Sequence, residues 1–384
     1  MTTIPRIKGW CPGAWRPMAT GDGLLVRVRP PLGQLSRQQV VALCEAAETF
    51  GSGLIELTSR ANIQLRGVTD ASWPPLMAFL VEHQLVSDDP QVERQPQLML
   101  APAWQVGDDT HTIARLLQTR GSELATMPGK IGIAIDTGKA PVLCDSAADF
   151  RIERSVEGGL IVRADGYECG TAVNEPEAAV ELLIRLTHWF VDSGGWESGR
   201  MRRHTAPLPD WAPADTAPAS PGEKLALGKH SEGRVVGLPF GRVAVNTLRA
   251  AVSPINVSAL QVTPWRRLLV KGGDTLPAVD GLIRHNSDPR LAMDACPGAP
   301  FCEQASVSTQ PLAERLSGWV EASVHISGCA KGCARQRPAA LCLTGREGRF
   351  DVIVNGRADS TPKATGLSES DVLHYLESLG ASRL

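Results

Sequence analysis

Two stretches of this chain read as copies of one another, and no other feature narrows the fold as far. "LTSRANIQLRG" (57–67) and "VTPWRRLLVKG" (262–272) each run from a threonine to a basic residue eight positions on, then to a glycine. Upstream, "PLG" (31–33) and "PFG" (239–241) stand at nearly equal distances from those threonines. Internal duplication of a folding unit accounts for both coincidences. Chance similarity between two amphipathic strands is the competing explanation.

The surrounding pattern suits a duplicated α+β unit. Residues 24–29, "LLVRVR", alternate as a half-buried strand does. Residues 36–50 open on a serine cap, carry apolar positions at helical spacing, and are stopped by Gly51 and Gly53. Short strands near 54–57 and 62–66 and a helix around 71–84 follow. This order predicts helices on one face of a mixed sheet. Between the copies, a strand at 130–136, another near 159–163 and a helix from 176 to about 193 form a second α/β stretch. "APLPDWAPADTAPASP" (206–221) reads as an extended linker or surface loop. The expected division is 1–86, 87–205, a linker at 206–222, 223–288 and 289–384.

Composition excludes several classes. With 39 basic and 41 acidic side chains, the net charge of -2 offers no overall field for nucleic acid or an anionic membrane. An anionic ligand must be met by a local basic pocket. No apolar run is long enough to span a membrane, and the first residues lack the apolar core of a secretory signal. The chain therefore reads as cytoplasmic, where thiols stay reduced. It has nine cysteines, an odd count that argues against a complete disulfide framework. Cys11, Cys44, Cys144 and Cys169 are scattered, whereas Cys296, Cys302, Cys329, Cys333 and Cys342 are crowded together.

The crowded thiols fall into two arms. "ACPGAPFC" sets Cys296 and Cys302 on either side of a proline-rich loop, and "SGCAKGC" sets Cys329 and Cys333 four positions apart. If the second arm lies on a helical turn, its sulfurs share one face. Four thiolates in two paired segments suit a [4Fe–4S] cluster, and the adjacent glycines let backbone N–H groups approach the sulfur. A zinc site, with its usual tighter spacing in both arms, and unrelated core or redox thiols are the alternatives. Cys342, in "ALCLTG", reads as a buried apolar strand residue.

The C-x5-C and C-x3-C arms, together with the duplication, resemble the cluster site and two-fold repeat of the sulfite and nitrite reductase hemoprotein superfamily. "LTSRANIQLR" is similar to that family's Thr-x-Arg-x-x-x-Gln-x-Arg strand, and "MPGKIGIAI" (127–135) to its substrate-lysine segment. The resemblance covers nearly the whole chain. It implies an α+β, internally duplicated nitrite/sulfite reductase-like fold with two ferredoxin-like halves and two α+β cofactor-binding units. Within the superfamily, "GWCPGAWRPMATGDGLLVRVRP" (9–30) and "HISGCAKGC" (325–333) look like the precorrin-3B synthase branch. Sulfite reductases resemble one another in Pro-Asn-Gly between the last two cysteines and in a Lys-x-Lys pair; here Ala330, Lys331 and Gly332 fill the first, and Lys130 is followed by Gly132. Losing one cation weakens the hold on a small dianion and leaves room for a larger substrate.

The branch implies a monooxygenase: oxygen-dependent C20 hydroxylation of precorrin-3A, with lactone formation, in cobalamin biosynthesis. Its implied requirements are a [4Fe–4S] cluster on Cys296, Cys302, Cys329 and Cys333, and a second iron centre, either siroheme or mononuclear non-haem iron. Dioxygen and an external electron donor are the implied partners, since no Rossmann or P-loop fingerprint is present. Siroheme-dependent sulfite or nitrite reduction, and a non-catalytic metal-bearing binding protein, are the competing readings. A precorrin carries a ring of carboxylates, which bidentate guanidinium groups hold well. Lys130, Arg60 and Lys331 are the expected catalytic residues. Arg60, Arg66, Lys130, Arg266, Arg267, Lys271 and Arg335 are expected to bind the cofactor or substrate carboxylates, against the plain alternative of solvated strand-edge charges. His204, His230, His285 and His325 are possible iron ligands, each more ordinarily structural. Cys11, in "WCPG", either lines the pocket or is a structural thiol.

Overall fold

The computed structural model describes residues 10–378 apart from Asp274 and Glu321. The opening residues read for a secretory signal, Gly9 of the matched opening segment, and the outer ends of the first and last expected units lie outside them.

Each repeat builds an antiparallel sheet and completes it with a strand from the other. In the first, Met18–Thr20, Gly23–Val28, Ile63–Val68 and Leu54–Leu57 lie in that order, and Arg242–Ala244 from the second repeat adds to the edge. In the second, Gly228–His230, Gly233–Gly237, Arg267–Lys271 and Ala259–Val262 are completed by Gln34–Ser36 from the first. The donated strands pair in corresponding registers, Val243 with Ile55 and Leu35 with Leu260. Every pairing in these two sheets is antiparallel, so the mixed sheet expected for the repeats belongs instead to the intervening units.

The duplication extends to unusual backbone geometry. Leu32 and Phe240, central in "PLG" and "PFG", have φ of 53° and 52°. Ala61 and Arg266 have φ of 54° and 59°. Bulky side chains rarely adopt this left-handed conformation, so two matched pairs make chance similarity untenable. The repeated threonines explain the second pair. Thr58 Oγ1 accepts from the N–H groups of Arg60 and Asn62, and Thr263 Oγ1 from those of Trp265 and Arg267.

The helix Arg37–Phe50 starts at Ser36, whose hydroxyl accepts from Gln39 N while the Gln39 side chain returns to Ser36 N. Its Leu43, Cys44 and Ala47 pack into one apolar core that also holds Val236, Leu248, Leu260 and Val270 of the second repeat. Shared core and exchanged strands bind the two halves into a single body.

Each half is followed by an α/β unit of identical topology. In the first, Gln97–Leu100, Gly132–Asp136 and Phe150–Arg154 are parallel, with Leu160–Ala164 and Thr171–Val173 antiparallel beyond. In the second, Met293–Ala295, Val324–Ser327 and Ala339–Arg346 are parallel, with Arg349–Gly356 and Ala364–Leu367 beyond. Helices Asp109–Thr119 and Gln310–Leu316 are the respective crossovers. The proline-rich stretch 206–222 is docked along the first unit: Ala219 N donates to Arg154 O, Gly170 and Thr216 pair, and Ala212 is buried. Among the described residues, no helix is long and apolar enough to cross a membrane.

Candidate metal centre and anion cavity

The four cysteines of the two arms come together at the parallel end of the second α/β sheet. Cys296 follows Met293–Ala295, and Cys329 and Cys333 follow Val324–Ser327. Ser306 N donates to Gly328 O, and Gly328 packs on Ala305 so closely that a side chain would collide, which locks one arm against the other. Every pairing among the four thiols is close enough to interact electrostatically. The second arm does not lie on a helical turn. Gly332 has φ of 58°, and the chain folds in successive turns through Gly332 N to Cys329 O and Arg335 N to Gly332 O.

Those turns aim backbone donors at sulfur. Ala334 N donates to Cys296 Sγ at 3.3 Å, and the N–H groups of Lys331 and Gly332 lie near the Cys329 thiol and favour its charged form. Burial pushes the Cys296 and Cys329 thiols up, a cost that bound iron would reverse by holding them as thiolates. Among the described residues, no three Cys, His, Asp or Glu side chains converge on a single metal-ion position. Four mutually near thiols with N–H donors to sulfur fit a polynuclear iron–sulfur cluster in donor chemistry. Beneath them, His325 is wedged between Cys296 and Cys342, and burial pushes its imidazole down to about 4.

The loop between Cys296 and Cys302 leans on the first ferredoxin-like sheet. Arg66 donates to Phe301 O and Asp22 and also pairs with Glu56, while Arg242 on the exchanged strand pairs with the same Glu56 and lies 4.4 Å from the Phe301 ring centroid. Glu56 also accepts from Gln64, which in turn accepts from Arg27. A polar ladder thus runs across the sheet from the loop between Cys296 and Cys302 to a cavity of about 730 Å³.

That cavity is lined by Arg16, Arg27, Arg29, Arg60 and Arg94, with Trp10, Trp15 and Trp196 among its apolar walls. Among the described residues, the buried Nε–H groups of Arg27 and Arg29 have no hydrogen-bond partner. Burial holds Arg27 down to about 10, helped by the charges of Arg29 and Arg60 and opposed by Cys11, with which it hydrogen-bonds. Cys11 lines the same cavity. The loop bearing Cys11 is fixed by Glu93, whose carboxylate accepts from Ala14 N and Trp15 N.

The expected basic residues separate into groups. Arg60 lines the cavity and donates to Lys130 O, and Lys130 sits between two lining residues, Gly129 and Ile131. Lys331 lies between Cys329 and Cys333. Arg66 is buried and spent on Asp22, Glu56 and Phe301, so it supports the loop between Cys296 and Cys302 and presents nothing to the cavity. The remaining four are also turned to protein partners: Arg266 to Asp294 and Met293 O, Arg267 to Leu225 O, Lys271 to Glu232, and Arg335 to Asp294 and Pro338 O. Sequence reasoning missed Arg16, Arg27, Arg29 and Arg94. Arg27 and Arg29 alternate within "LLVRVR", a signal that marks the polar face of a strand without saying what covers it. Of the four histidines, His204 is held by Ser193 and Ser198, and His230 by Ala226 O.

Two copies of one ferredoxin-like half, each followed by a mixed α/β unit, are the duplicated fold expected from the resemblance to the sulfite and nitrite reductase superfamily. Residues 16–83 match the nitrite/sulfite reductase ferredoxin-like half domain. The structure of the Mycobacterium tuberculosis NirA protein superposes with a TM-score of 0.60 at 17% identity, over 92% of this chain and 79% of that one. A ferredoxin–nitrite reductase of Synechococcus elongatus is 23% identical over 90% of this chain and 80% of its own length. A precorrin-3B synthase of Sinorhizobium sp is 31% identical over 93% of this chain and 85% of its own. The chain belongs to the precorrin-3B synthase family.

Proposed function

We propose that this protein converts precorrin-3A to precorrin-3B by oxygen-dependent hydroxylation at C20 with lactone formation. Family membership supports the reaction class. The observation that carries the substrate is the arginine cavity: five arginines line one pocket, which favours an anion, and about 730 Å³ is of the size that encloses an organic ligand. Carboxylates of the macrocycle complete the hydrogen bonds of Arg27, Arg29 and Arg60, and the tryptophans cover its apolar faces. Lys130, held by Arg60, adds a cation at the rim. Gly132, where a second lysine would favour a small dianion, carries no side chain, and a Cβ built there would lie 3.9 Å from Arg60 Nη1.

Cys296, Cys302, Cys329 and Cys333 would hold the cluster, which with a second iron centre would supply electron storage and dioxygen activation. In a monooxygenase balance one oxygen atom enters the substrate and the other leaves as water, so an external donor must provide two electrons and two protons are consumed. The test is oxygen uptake by anaerobically purified, reconstituted protein given precorrin-3A and a reductant. Uptake that depends on precorrin-3A and yields the hydroxylated lactone supports the reading. Sulfite- or nitrite-dependent oxidation of reduced viologen without such uptake sinks it in favour of a reductase.

A further inference from the structure

His325 lies in the strand Val324–Ser327, paired across the parallel ladder with Cys342. Both are enclosed, His325 at 1% exposure and Cys342 at 0%. Each imidazole nitrogen meets a sulfur. Nε2 is 3.7 Å from Cys296 Sγ, and Nδ1 is 3.6 Å from Cys342 Sγ. The Thr344 hydroxyl, also 3.6 Å from Cys342, donates to Ala358 O. Asp294, the carboxylate on the adjoining strand, is already shared by Arg266 and Arg335.

Chemistry places the protons. A cluster-bound cysteine is a thiolate and can only accept. Nε2 must therefore carry hydrogen to interact with Cys296. A neutral imidazole protonated at Nε2 has an accepting Nδ1, which the Cys342 S–H can satisfy. The sequence Cys342 S–H to Nδ1, then Nε2–H to Cys296, leaves every polar atom served.

The duplicated unit supplies a comparison within the same chain. Its corresponding cross-strand pair is Ala134 with Arg151, in the same register. Arg151 donates to the carbonyls of Leu143 and Ser146 and closes a loop over the sheet. The histidine–cysteine pair is therefore no requirement of the fold; it occurs in the copy that carries the four cysteines.

We infer that His325 donates its Nε2–H to the Cys296 thiolate, held in that tautomer by Cys342, and thereby raises the reduction potential of the cluster. The inference rests on the cluster reading above. A hydrogen bond to a ligating sulfur draws off negative charge and favours the reduced state, as other second-shell donors do at metal sites. His325 is thus a positioning residue that acts through Cys296.

The experiment is a potentiometric titration of the cluster, read by electron paramagnetic resonance, with iron and acid-labile sulfide measured on the same samples. In His325→Leu, at the potential where the native cluster is half reduced, the reduced-to-oxidised ratio should fall about tenfold, or ~59 mV for one electron. His325→Gln, which keeps a donor, should recover most of the loss, and Cys342→Ala should give a smaller fall of the same sign. A loaded His325→Leu protein with native potential overturns the inference. If that variant holds no cluster, native potential in Cys342→Ala overturns it, and a fall there sustains it. Native protein without acid-labile sulfide overturns the cluster reading and this inference with it.

Discussion

Arg60 donates a hydrogen bond from Nη1 to the main-chain oxygen of Lys130 at 2.9 Å, joining two segments 70 residues apart at the cavity wall. The same turn is held from below by Asp149, which accepts from Gly132 N and pairs with Arg200. Arg60 therefore fixes the lysine turn as well as lining the cavity. Arg60→Leu should cost about 1–2 kcal/mol of stability and weaken tetrapyrrole binding at least tenfold. Fluorescence titration, using the tryptophans in the cavity wall, measures the second. Unchanged affinity in a folded variant would remove Arg60 from the binding site.

Arg27 behaves oppositely in the ligand-free protein. Its folded pKa lies below the ordinary arginine value, at about 10, chiefly because burial penalises the charge. Between pH about 10 and the ordinary arginine range the unfolded chain binds the extra proton, so stability rises with pH through that window and the cost is fully present at neutrality. Arg27→Leu should therefore stabilise the empty protein by about 1 kcal/mol in denaturant titration, while abolishing the stabilisation that a polycarboxylate ligand gives the native protein. A variant less stable than native would mean that the Gln64 and Cys11 contacts outweigh the desolvation.

Cys302 belongs to the four thiols that interact in every pairing. Cys302→Ser should lose the brown absorbance and the acid-labile sulfide of the reconstituted protein. Cys169→Ser, in the other α/β unit, should keep both. Full cluster content in Cys302→Ser would withdraw its assignment as a ligand.

Glu56 is the shared acid of Arg66 and Arg242, one from each repeat. Removing it leaves two guanidinium groups short of a partner beneath the cluster loop. Glu56→Ala should cost about 3 kcal/mol and, because both arginines also contact Phe301, lower cluster occupancy. Denaturant unfolding and iron content follow the two effects. Lost stability with native occupancy would show that the ladder does not support the loop.

Duplication was legible because both copies need the same threonine-capped turn and the same left-handed residue, whatever side chain it carries. Arg266 and Ala61 share that conformation although their letters differ. The exchanged strands Gln34–Ser36 and Arg242–Ala244 were not legible, since three residues are too few to show a period. The cysteine arms announced themselves by spacing, but the helical reading of the second failed on the positive φ of Gly332. The basic residues were the least readable. Whether an arginine faces a ligand depends on where its acids lie, and Asp22, Glu56 and Asp294 are distant in sequence from Arg66, Arg242 and Arg335.

Gly132 offers the sharpest separation of a tetrapyrrole substrate from a small anion. A Cβ built there meets only ordinary contacts, with Ala147 O and Gln97 O at 3.7 Å and Arg60 Nη1 at 3.9 Å. The backbone needs no glycine, so the absent side chain is a matter of space. In Gly132→Lys a second ammonium would restore the Lys-x-Lys pattern beside Arg60. Like-charge repulsion at this buried position should cost about 4 kcal/mol, visible as a marked fall in the unfolding midpoint. The added cation and lost volume should together lower tetrapyrrole affinity about tenfold while sulfite binding becomes measurable by calorimetry. Native tetrapyrrole affinity in this variant would place position 132 outside the ligand's reach, and the space it leaves would no longer explain the choice of substrate.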